Sequence, residues 1–161
     1  MENKIVIFDL DGTLATIDER MKKATGGQST ESDYNKIDWS VLHDPENIKM
    51  DEPNVPVVET CRLFYDNGYS IYIFSGRSDR TEEATKEWLA THEIPYHKLV
   101  MRPNTKKEMF IPDDDLKQSM LDSLGKYEKS LILCVYDDRQ KVVDMWRRNG
   151  LVCCQVAPGN F

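Results

Sequence analysis

The sequence lacks several features that mark other classes of protein. No apolar run approaches the roughly 18 residues of a membrane-spanning helix, and no internal repeat or low-complexity tract occurs in the 161 residues. No zinc-type spacing is formed by the four cysteines, which are Cys61, Cys134, Cys153 and Cys154. We therefore expect no membrane span and no zinc site, and cysteines that are small buried residues in a reducing compartment.

Positive charge is scarce as well. The chain has 21 Lys and Arg residues against 28 Asp and Glu residues, which gives a net charge of −7. A protein that holds long nucleic acid by its charge needs a basic surface, so the composition argues against this mode of binding. A local cationic pocket for a nucleotide or a nucleic acid end is still compatible with the composition. The N-terminus leads directly into a strand pattern without a signal peptide, so we expect a cytoplasmic protein.

Strand and helix patterns alternate along the chain, which predicts an α/β fold with a parallel sheet. The length and an apolar content of 40% predict a single globular domain over residues 1–161. Nearly continuous apolar runs, typical of strands covered on both faces, lie at 5–9, 70–75, 99–101, 131–137 and 151–156. Helical patterns lie at about 55–66, 80–91, 114–126 and 139–148. The prediction is therefore a sheet of about five strands with helices on both faces.

One segment, from residue 16 to about residue 53, interrupts this alternation. It is polar and contains only scattered apolar anchors, such as Ile37, Trp39 and Leu42. It leaves the chain at the C-terminal end of the first strand, where open α/β sheets bind their ligands. This position favours a small cap or lid over a plain surface loop.

Polar groups follow three of the predicted strands. Asp9 ends the first strand and Asp11 follows it, Ser75-Gly76-Arg77 ends the second, and Asp137-Asp138 ends the fourth. Each group by itself is compatible with a turn or a helix cap. Because the carboxyl ends of parallel strands lie along one edge of the sheet, however, the three groups are expected to meet in one crevice. Four clustered carboxylates repel one another, and Mg²⁺, which prefers oxygen ligands, would relieve that repulsion.

Such a site has the groups that phosphoryl transfer needs. Asp9 could attack phosphorus, and Asp11 could donate a proton to the leaving oxygen and later activate water. The Ser75 hydroxyl, backbone N–H groups and a lysine could balance the charge of the transferring phosphoryl group.

These motifs resemble those of a known superfamily. F-D-L-D-G-T-L-A is similar to the first motif of the haloacid dehalogenase superfamily, F-S-G-R to the second and V-Y-D-D-R-Q to the fourth. The resemblance implies a Rossmann-like fold, a phosphoaspartate on Asp9, and an Asp11 that acts as acid and base and binds metal through its carbonyl group. The implied metal ligands for Mg²⁺ are Asp9, Asp11, Asp137 and Asp138. The implied phosphate contacts are Thr13, Ser75 and Gly76.

The third motif of that superfamily is a single lysine or arginine. We assign it to Lys117, which lies one turn into a predicted helix that begins after Pro112 with a run of aspartates. Lys106 and Lys107 are the alternatives, and both are better explained as solvated loop lysines.

A narrower resemblance covers the insertion and the second half of the chain. D-W-S-V-L-H-D-P-E-N-I-K-M-D-E-P, L-V-M-R-P and V-V-D-M-W-R-R-N-G-L-V-C-C-Q-V-A-P-G-N-F are similar to segments of 3′-phosphatases of the phage-type polynucleotide kinase-phosphatase group. The resemblance implies substrate contacts from Arg20, Arg77 and Arg102. Relatives commonly have an arginine shortly before the lysine motif, where this chain has Phe110-Ile111-Pro112. No G-x-x-x-x-G-K-[ST] occurs, so the kinase of the bifunctional relatives has no counterpart in this sequence.

We therefore expect a Mg²⁺-dependent phosphomonoesterase that removes 3′-phosphate from polynucleotide ends. A nucleotidase that hydrolyses nucleoside monophosphates is the alternative, since the small cap leaves the cleft open while the acidic charge favours small substrates. A phospho-accepting receiver or a nucleotide-binding module is an alternative from another class; Asp11 argues against it, because an acid/base beside the nucleophile promotes turnover. The expected substrate is a nucleotide or a 3′-phosphorylated nucleic acid end, in the cytoplasm of the cell or of a phage host. A separate kinase or ligase partner and a homodimer remain open.

Overall fold

The computed structural model describes residues 3–27 and 37–159. Its strands are β1 (Ile5–Phe8), β2 (Ala15–Thr16), β3 (Glu52–Pro53), β4 (Ser70–Ser78), β5 (Lys98–Arg102), β6 (Ile132–Arg139) and β7 (Cys153–Gly159). Its helices are α1 (Asp18–Ala24), α2 (Trp39–Leu42), α3 (Pro45–Ile48), α4 (Val55–Asp66), α5 (Glu82–Thr91), α6 (Asp113–Asp122), α7 (Lys126–Leu131) and α8 (Gln140–Arg148). No helix in these ranges is long and apolar enough to cross a membrane.

Five parallel strands form the central sheet in the order β5-β4-β1-β6-β7, which confirms the predicted α/β class. β1 lies in the middle, and its Ile7 is in register with Tyr72 of β4 and with Val135 of β6. The strand order reverses beside β1, because β4 and β5 follow on one side of it and β6 and β7 on the other, and ligands bind to such sheets at that point. The ends of β1, β4 and β6, which bear the predicted site residues, are therefore neighbours.

Helices cover both faces of the sheet, as predicted. Val6 and Phe8 of β1 pack with α4 and α5 in one apolar core, and Ile5 and Ile7 pack with α6 and α8 in the other. Alternate residues of a strand face opposite sides of the sheet, so a strand covered on both sides must be apolar throughout. This explains why the strand sequences look continuous rather than alternating.

The predicted helix at 114–126 is wrong in its extent. The structure has α6, which ends at Asp122, and a separate helix α7, which takes up residues assigned to a loop and the start of a strand. Gly125, a poor helix residue, lies between the two, and its N–H donates to the carboxylate of Glu128, which anchors the start of the second helix. Strands β4 to β7 also end later than predicted, while β1 ends one residue earlier; β4 reaches Ser78 and includes the whole Ser75-Gly76-Arg77 motif.

A small antiparallel pair of strands closes the insertion at its base. Ala15 of β2 pairs with Pro53 of β3, and Thr16 pairs with Glu52. We name residues 17–51 the cap; its described parts contain α1, α2 and α3. Ile37 and Leu42 are buried with Ala24 in a small apolar cluster, as anchors should be. Trp39 is not such an anchor, because half of its surface is exposed. Residues 28–36 of the insertion lie outside the described residues.

Candidate active site

Three carboxylates from two neighbouring strands meet at the C-terminal edge of the sheet. Asp9 follows β1, whose last pairing contact is the Asp9 N–H donating to the Tyr136 carbonyl at 2.9 Å. Asp137 and Asp138 lie in β6. Oxygens of Asp9, Asp137 and Asp138 lie within 4.8 Å of one another, and all three residues are buried. We call these three residues the carboxylate triad.

Lys117 of α6 contacts two members of the carboxylate triad. Its Nζ donates to Oδ1 of Asp9 at 2.5 Å and to Oδ2 of Asp137 at 2.9 Å. The indole N–H of Trp146 also donates to Oδ2 of Asp137, at 3.1 Å. Lys106 and Lys107, the alternatives for the third motif, are both exposed on the surface. The structure thus places Lys117, and not its rivals, against the predicted nucleophile.

The electrostatics of the carboxylate triad favour a bound divalent cation. Burial raises the pKa of Asp9, and the charges of Asp137 and Asp138 add to this against the pull of Lys117. Burial and the Asp137 charge raise the pKa of Asp138 to about 6. Burial works against the Lys117 ammonium, but Asp137 and Asp9 outweigh it and raise its pKa well above the usual range. One ammonium among three carboxylates leaves an excess of negative charge, and an all-oxygen set of this kind fits Mg²⁺.

Gly12 allows the backbone to pass close to the carboxylate triad. Its φ of +87° is one that residues with a side chain rarely adopt, and an added Cβ would lie 2.3 Å from Oδ2 of Asp138. The next residue, Thr13, is fully buried, and its hydroxyl donates to Oδ1 of Asp138 at 3.4 Å. Thr13 therefore holds the Asp138 carboxylate in place by this hydrogen bond; its contact with phosphate stays a prediction.

Asp11 belongs to a second cluster, in which arginines surround it. Its Oδ1 accepts from Nη2 of Arg20 at 2.8 Å and from Nε of Arg77 at 2.9 Å. Burial opposes ionisation of Asp11, but the charges of Arg77 and Arg20 outweigh it and hold the pKa of this carboxyl well below its usual range. The Asp11 side chain is outside the carboxylate triad, so a metal contact through its carbonyl group stays a prediction.

Asp51 completes this second cluster, and the sequence analysis did not single it out. Its carboxylate accepts from Nε of Arg20 at 2.9 Å and from Nη2 of Arg77 at 2.6 Å, and it is inaccessible to solvent. Burial raises its pKa to about 6 against the charges of both arginines. The Asp51 carbonyl also accepts from the indole N–H of Trp88 at 2.9 Å. The only hint in the sequence was its place in the D-E-P stretch, where two consecutive acidic residues are typical of a surface.

Arg20 links the cap to the sheet. Besides its two carboxylate partners, its Nη1 donates to the Leu42 carbonyl at 2.9 Å, and the residue is 1% exposed. Arg77 is equally buried and also donates to the Thr85 hydroxyl at 3.3 Å. The structure thus shows Arg20 and Arg77 holding Asp11 and the cap in place; a contact of either with substrate stays a prediction.

Arg102 lies in a third cluster at the other side of the cleft. It donates to the carbonyls of Gly76 at 3.1 Å and Ile111 at 2.7 Å. Asp113 accepts from Arg102 at 2.5 Å and from Arg139, and neither Asp113 nor Arg139 was singled out from the sequence. Arg102 thus contacts the segment in which relatives have an additional arginine.

One cavity of about 1220 Å³ joins these clusters. Its walls include Asp9, Asp11, Gly76, Arg77 and Lys117, and they extend to the cap and to residues 109–113. Ser75 is fully buried, and its Oγ accepts from the Arg77 N–H at 3.1 Å. Ser75 thus lies behind the wall formed by the next two residues, and its contact with phosphate stays a prediction.

Comparison with known proteins supplies the family. The family described as the phosphatase domain of the polynucleotide kinase PNKP matches residues 35–161 of the chain. The chain belongs to this family. It is therefore a phosphatase of the haloacid dehalogenase superfamily, and the interpretation as a receiver or a binding module is set aside. Phosphatases of this superfamily generally use Mg²⁺, which agrees with the fit of the carboxylate triad to that ion.

Individual relatives are longer than this chain. Over 150 residues it is 29% identical to a protein of Autographa californica nuclear polyhedrosis virus named as a bifunctional polynucleotide kinase/RNA ligase, a match that covers 89% of this chain and 18% of the viral protein. A chain in a solved Pnkp1/Rnl/Hen1 RNA repair complex is similar with a TM-score of 0.73 at 30% identity, covering 99% of this chain and 44% of that one. A hydrolase from Streptococcus pneumoniae TIGR4 shares the fold, with a TM-score of 0.63 at 18% identity and coverage of 98% and 95%. This chain thus spans less than half the length of the first two.

Proposed function

We propose that this protein is a Mg²⁺-dependent phosphomonoesterase that forms a phosphoaspartate on Asp9 and removes 3′-phosphates from polynucleotide ends. The observation that carries this proposal is the carboxylate triad with Lys117 at the end of β1, in a cavity that also exposes Asp11. A nucleophile, a counter-charge and an acid/base within one cleft are the parts that this reaction requires.

The residues divide the reaction into two steps. In the first, a carboxylate oxygen of Asp9 attacks phosphorus, the bond from phosphorus to the sugar 3′-oxygen breaks, and Asp11 donates a proton to that oxygen. In the second, water attacks the phosphoaspartate, Asp11 takes its proton, and inorganic phosphate leaves with Asp9 restored. Lys117 holds the Asp9 oxygen in position and offsets charge on the transferring group. Mg²⁺ bound by the carboxylate triad would supply further positive charge for the phosphate oxygens.

Arg20 and Arg77 prepare Asp11 for one of these steps. By holding its pKa low they keep it ionised, which is the form that accepts a proton from water in the second step. For the first step Asp11 must be protonated. A substrate phosphate that pairs with Arg77 would weaken the ion pair between Arg77 and Asp11 and so raise the pKa of Asp11.

We infer the class of substrate from the family of the chain and from the size of the cavity. A volume of about 1220 Å³ is larger than the roughly 300–1,000 Å³ that drug-sized ligands occupy, so the terminal nucleotide of a polymer and a neighbour can enter. Cap residues within 17–21 and 37–45 line one wall, and we expect a cap of this size to leave the cleft accessible to a chain end. A nucleotidase that acts on nucleoside monophosphates is the second candidate, favoured by the net charge of −7.

Partners and context follow from the longer relatives. The viral relative is named for kinase and ligase activities, and the structural relative comes from an RNA repair complex. We propose that this chain acts as one domain, 1–161, in the cytoplasm beside a kinase or a ligase, which would supply the 5′-phosphate or seal the end once the 3′-phosphate is removed. A homodimer is the second arrangement to test.

A phosphate-release panel with Mg²⁺ tests the proposed function. It compares a 3′-phosphorylated oligonucleotide, its 5′-phosphorylated twin, deoxynucleoside 3′- and 5′-monophosphates and an aryl phosphate. We expect the highest kcat/KM for the 3′-phosphorylated oligonucleotide, and no turnover by a folded Asp9→Asn variant. A preference for mononucleotides would replace the proposed substrate with that of a nucleotidase, and turnover by Asp9→Asn would remove Asp9 as the nucleophile.

A further inference from the structure

Large apolar side chains are exposed at the walls of the catalytic cavity. Among the tryptophans and phenylalanines that the structure describes, Trp39 and Phe110 are the exposed ones, at 50% and 84% of their surface. Both line the cavity that contains Asp9, together with Met109, which is also half exposed. The other described tryptophans, Trp88 and Trp146, are buried in the two cores. Exposed aromatic groups collected at a cleft indicate a binding surface rather than chance exposure.

Trp39 is held in a defined orientation by the residue that follows its helix. The His43 ring, one turn along, stacks on the indole with ring centres 5.8 Å apart and an angle of 16° between the planes. Burial lowers the pKa of His43, so the ring that supports the indole is neutral at neutral pH. One face of the indole is thus covered and oriented, and the exposed part is available to a flat ligand.

His43 also has an unsatisfied polar atom in the cavity wall. Its Nδ1 is buried and has no hydrogen-bond partner among residues 3–27 and 37–159. Buried nitrogens nearly always have a partner, and the exceptions call for an unseen water or ligand. His43 itself lines the cavity, so its ring belongs to the same surface as the Trp39 indole.

We propose that Trp39 and His43 of the cap form a nucleoside subsite, in which an unpaired base at the 3′ end of the substrate stacks on the Trp39 indole, with Phe110 closing the opposite side. This inference rests on the proposed function, since it concerns what is attached to the phosphate at Asp9. The phosphate and its nucleoside are covalently joined, so a polymer end bound at Asp9 must occupy this same cavity.

The charge of the protein supports stacking as the means of binding. With a net charge of −7, release of counterions from a nucleic acid contributes little to affinity. Aromatic stacking is independent of charge and is the other means by which proteins hold single strands. Arg80, which is exposed and lines the same cavity, offers positive charge to a bound strand.

Binding without turnover gives a first test. An oligonucleotide that ends in a 3′-hydroxyl is titrated while tryptophan fluorescence is recorded, with a matched oligonucleotide whose terminal nucleoside lacks its base. We expect quenching by the base-carrying oligonucleotide, and loss of that quenching in Trp39→Phe, because the remaining tryptophans are buried. Equal quenching by the wild type and Trp39→Phe, or by the two oligonucleotides, would overturn the proposal. Leu63→Ala, an exposed apolar residue of α4 outside the cavity, is the matched control and should behave as wild type.

Kinetics give the second test. The ratio of kcat/KM for 3′-phosphorylated ends with and without the terminal base is expected to fall about tenfold in Trp39→Ala, within the range measured for one stacked base. Phe110→Ala is expected to lower the same ratio, while Trp39→Phe retains most of it. An unchanged ratio in Trp39→Ala would refute the subsite even if 3′-phosphate is released normally. Conversely, base-dependent binding without release of 3′-phosphate would support the subsite and refute the proposed function.

Discussion

Removing the charge of Lys117 is the most direct test of the electrostatics at the carboxylate triad. Lys117→Met keeps a side chain of similar length but leaves Asp9, Asp137 and Asp138 without their ammonium partner. Breaking a buried ion pair by removing one partner costs about 3–5 kcal/mol. The entropy of unfolding is about 2.1 cal/mol/K per residue, or about 0.34 kcal/mol/K for this chain, so the melting temperature should fall by about 9–15 °C.

The assay is thermal unfolding at pH 7.5 in EDTA and again in excess MgCl₂. Mg²⁺ supplies the charge that the lysine no longer provides, so the deficit of Lys117→Met should be clearly smaller in MgCl₂ than in EDTA. The loss in melting temperature should also become smaller as the pH falls. Without the ammonium the carboxyls have higher pKa values in the folded state, and such carboxyls destabilise the fold when they are ionised at higher pH.

Lys129→Met is the matched control. Lys129 pairs with Asp122 at 3.3 Å on the surface, and a pair of this kind contributes at most about 1 kcal/mol, or about 3 °C here. Equal melting temperatures for the two variants in EDTA would refute the idea that Lys117 offsets the charge of the triad. A deficit in Lys117→Met that Mg²⁺ leaves unchanged would refute the assignment of the triad as the metal site.

Three further predictions concern the neighbouring residues. The apparent Kd for Mg²⁺ is expected to rise about tenfold per pH unit below about pH 6, where a proton competes for Asp138; calorimetry from pH 5 to 8 measures this, and a flat profile would contradict it. Gly12→Ala and its control Gly68→Ala both place a side chain at a positive φ, and each should lose about 1–3 kcal/mol of unfolding free energy from backbone strain. The new Cβ lies 2.3 Å from Asp138 in Gly12→Ala but has nothing within 4 Å in Gly68→Ala. Only Gly12→Ala should therefore weaken Mg²⁺ binding. Arg20→Ala removes one of the arginines that hold Asp11 and should lower kcat for an oligonucleotide and for an aryl phosphate alike; the predicted contact of Arg20 with the nucleotide should add a rise in KM for the oligonucleotide, and an unchanged kcat would contradict the role of Arg20 at Asp11.

Much of the fold was predictable because strands covered on both faces are continuous apolar runs, whereas a helix with one apolar face repeats its apolar residues once per turn. The run from Ile5 to Phe8 is fully buried, and the helix predicted at 55–66 has those bounds in the structure. The break at Gly125 was missed because the Glu128 carboxylate accepts from the Gly125 N–H and so caps a new helix that begins at Lys126, and this local contact outweighs the continuity of the pattern. The ends of β4 to β7 were underestimated since pairing with a neighbour, such as Ser78 with Arg102, extends a strand beyond its apolar run.

The order of the strands' polar ends follows from the amino-acid pattern alone, and with it the position of Asp9, Asp11, Asp137 and Asp138 at one edge of a parallel sheet. The reason is that motif residues directly follow strands whose direction the fold class sets. Only the tertiary structure separated these acids into two environments, with Lys117 beside Asp9 and two arginines around Asp11. The ion pairs of Asp51 and Asp113 and the exposure of Trp39 could not be predicted either, since burial and ion pairing depend on residues far along the chain. The periodicity of a polar segment such as the cap contains no information about those distant partners.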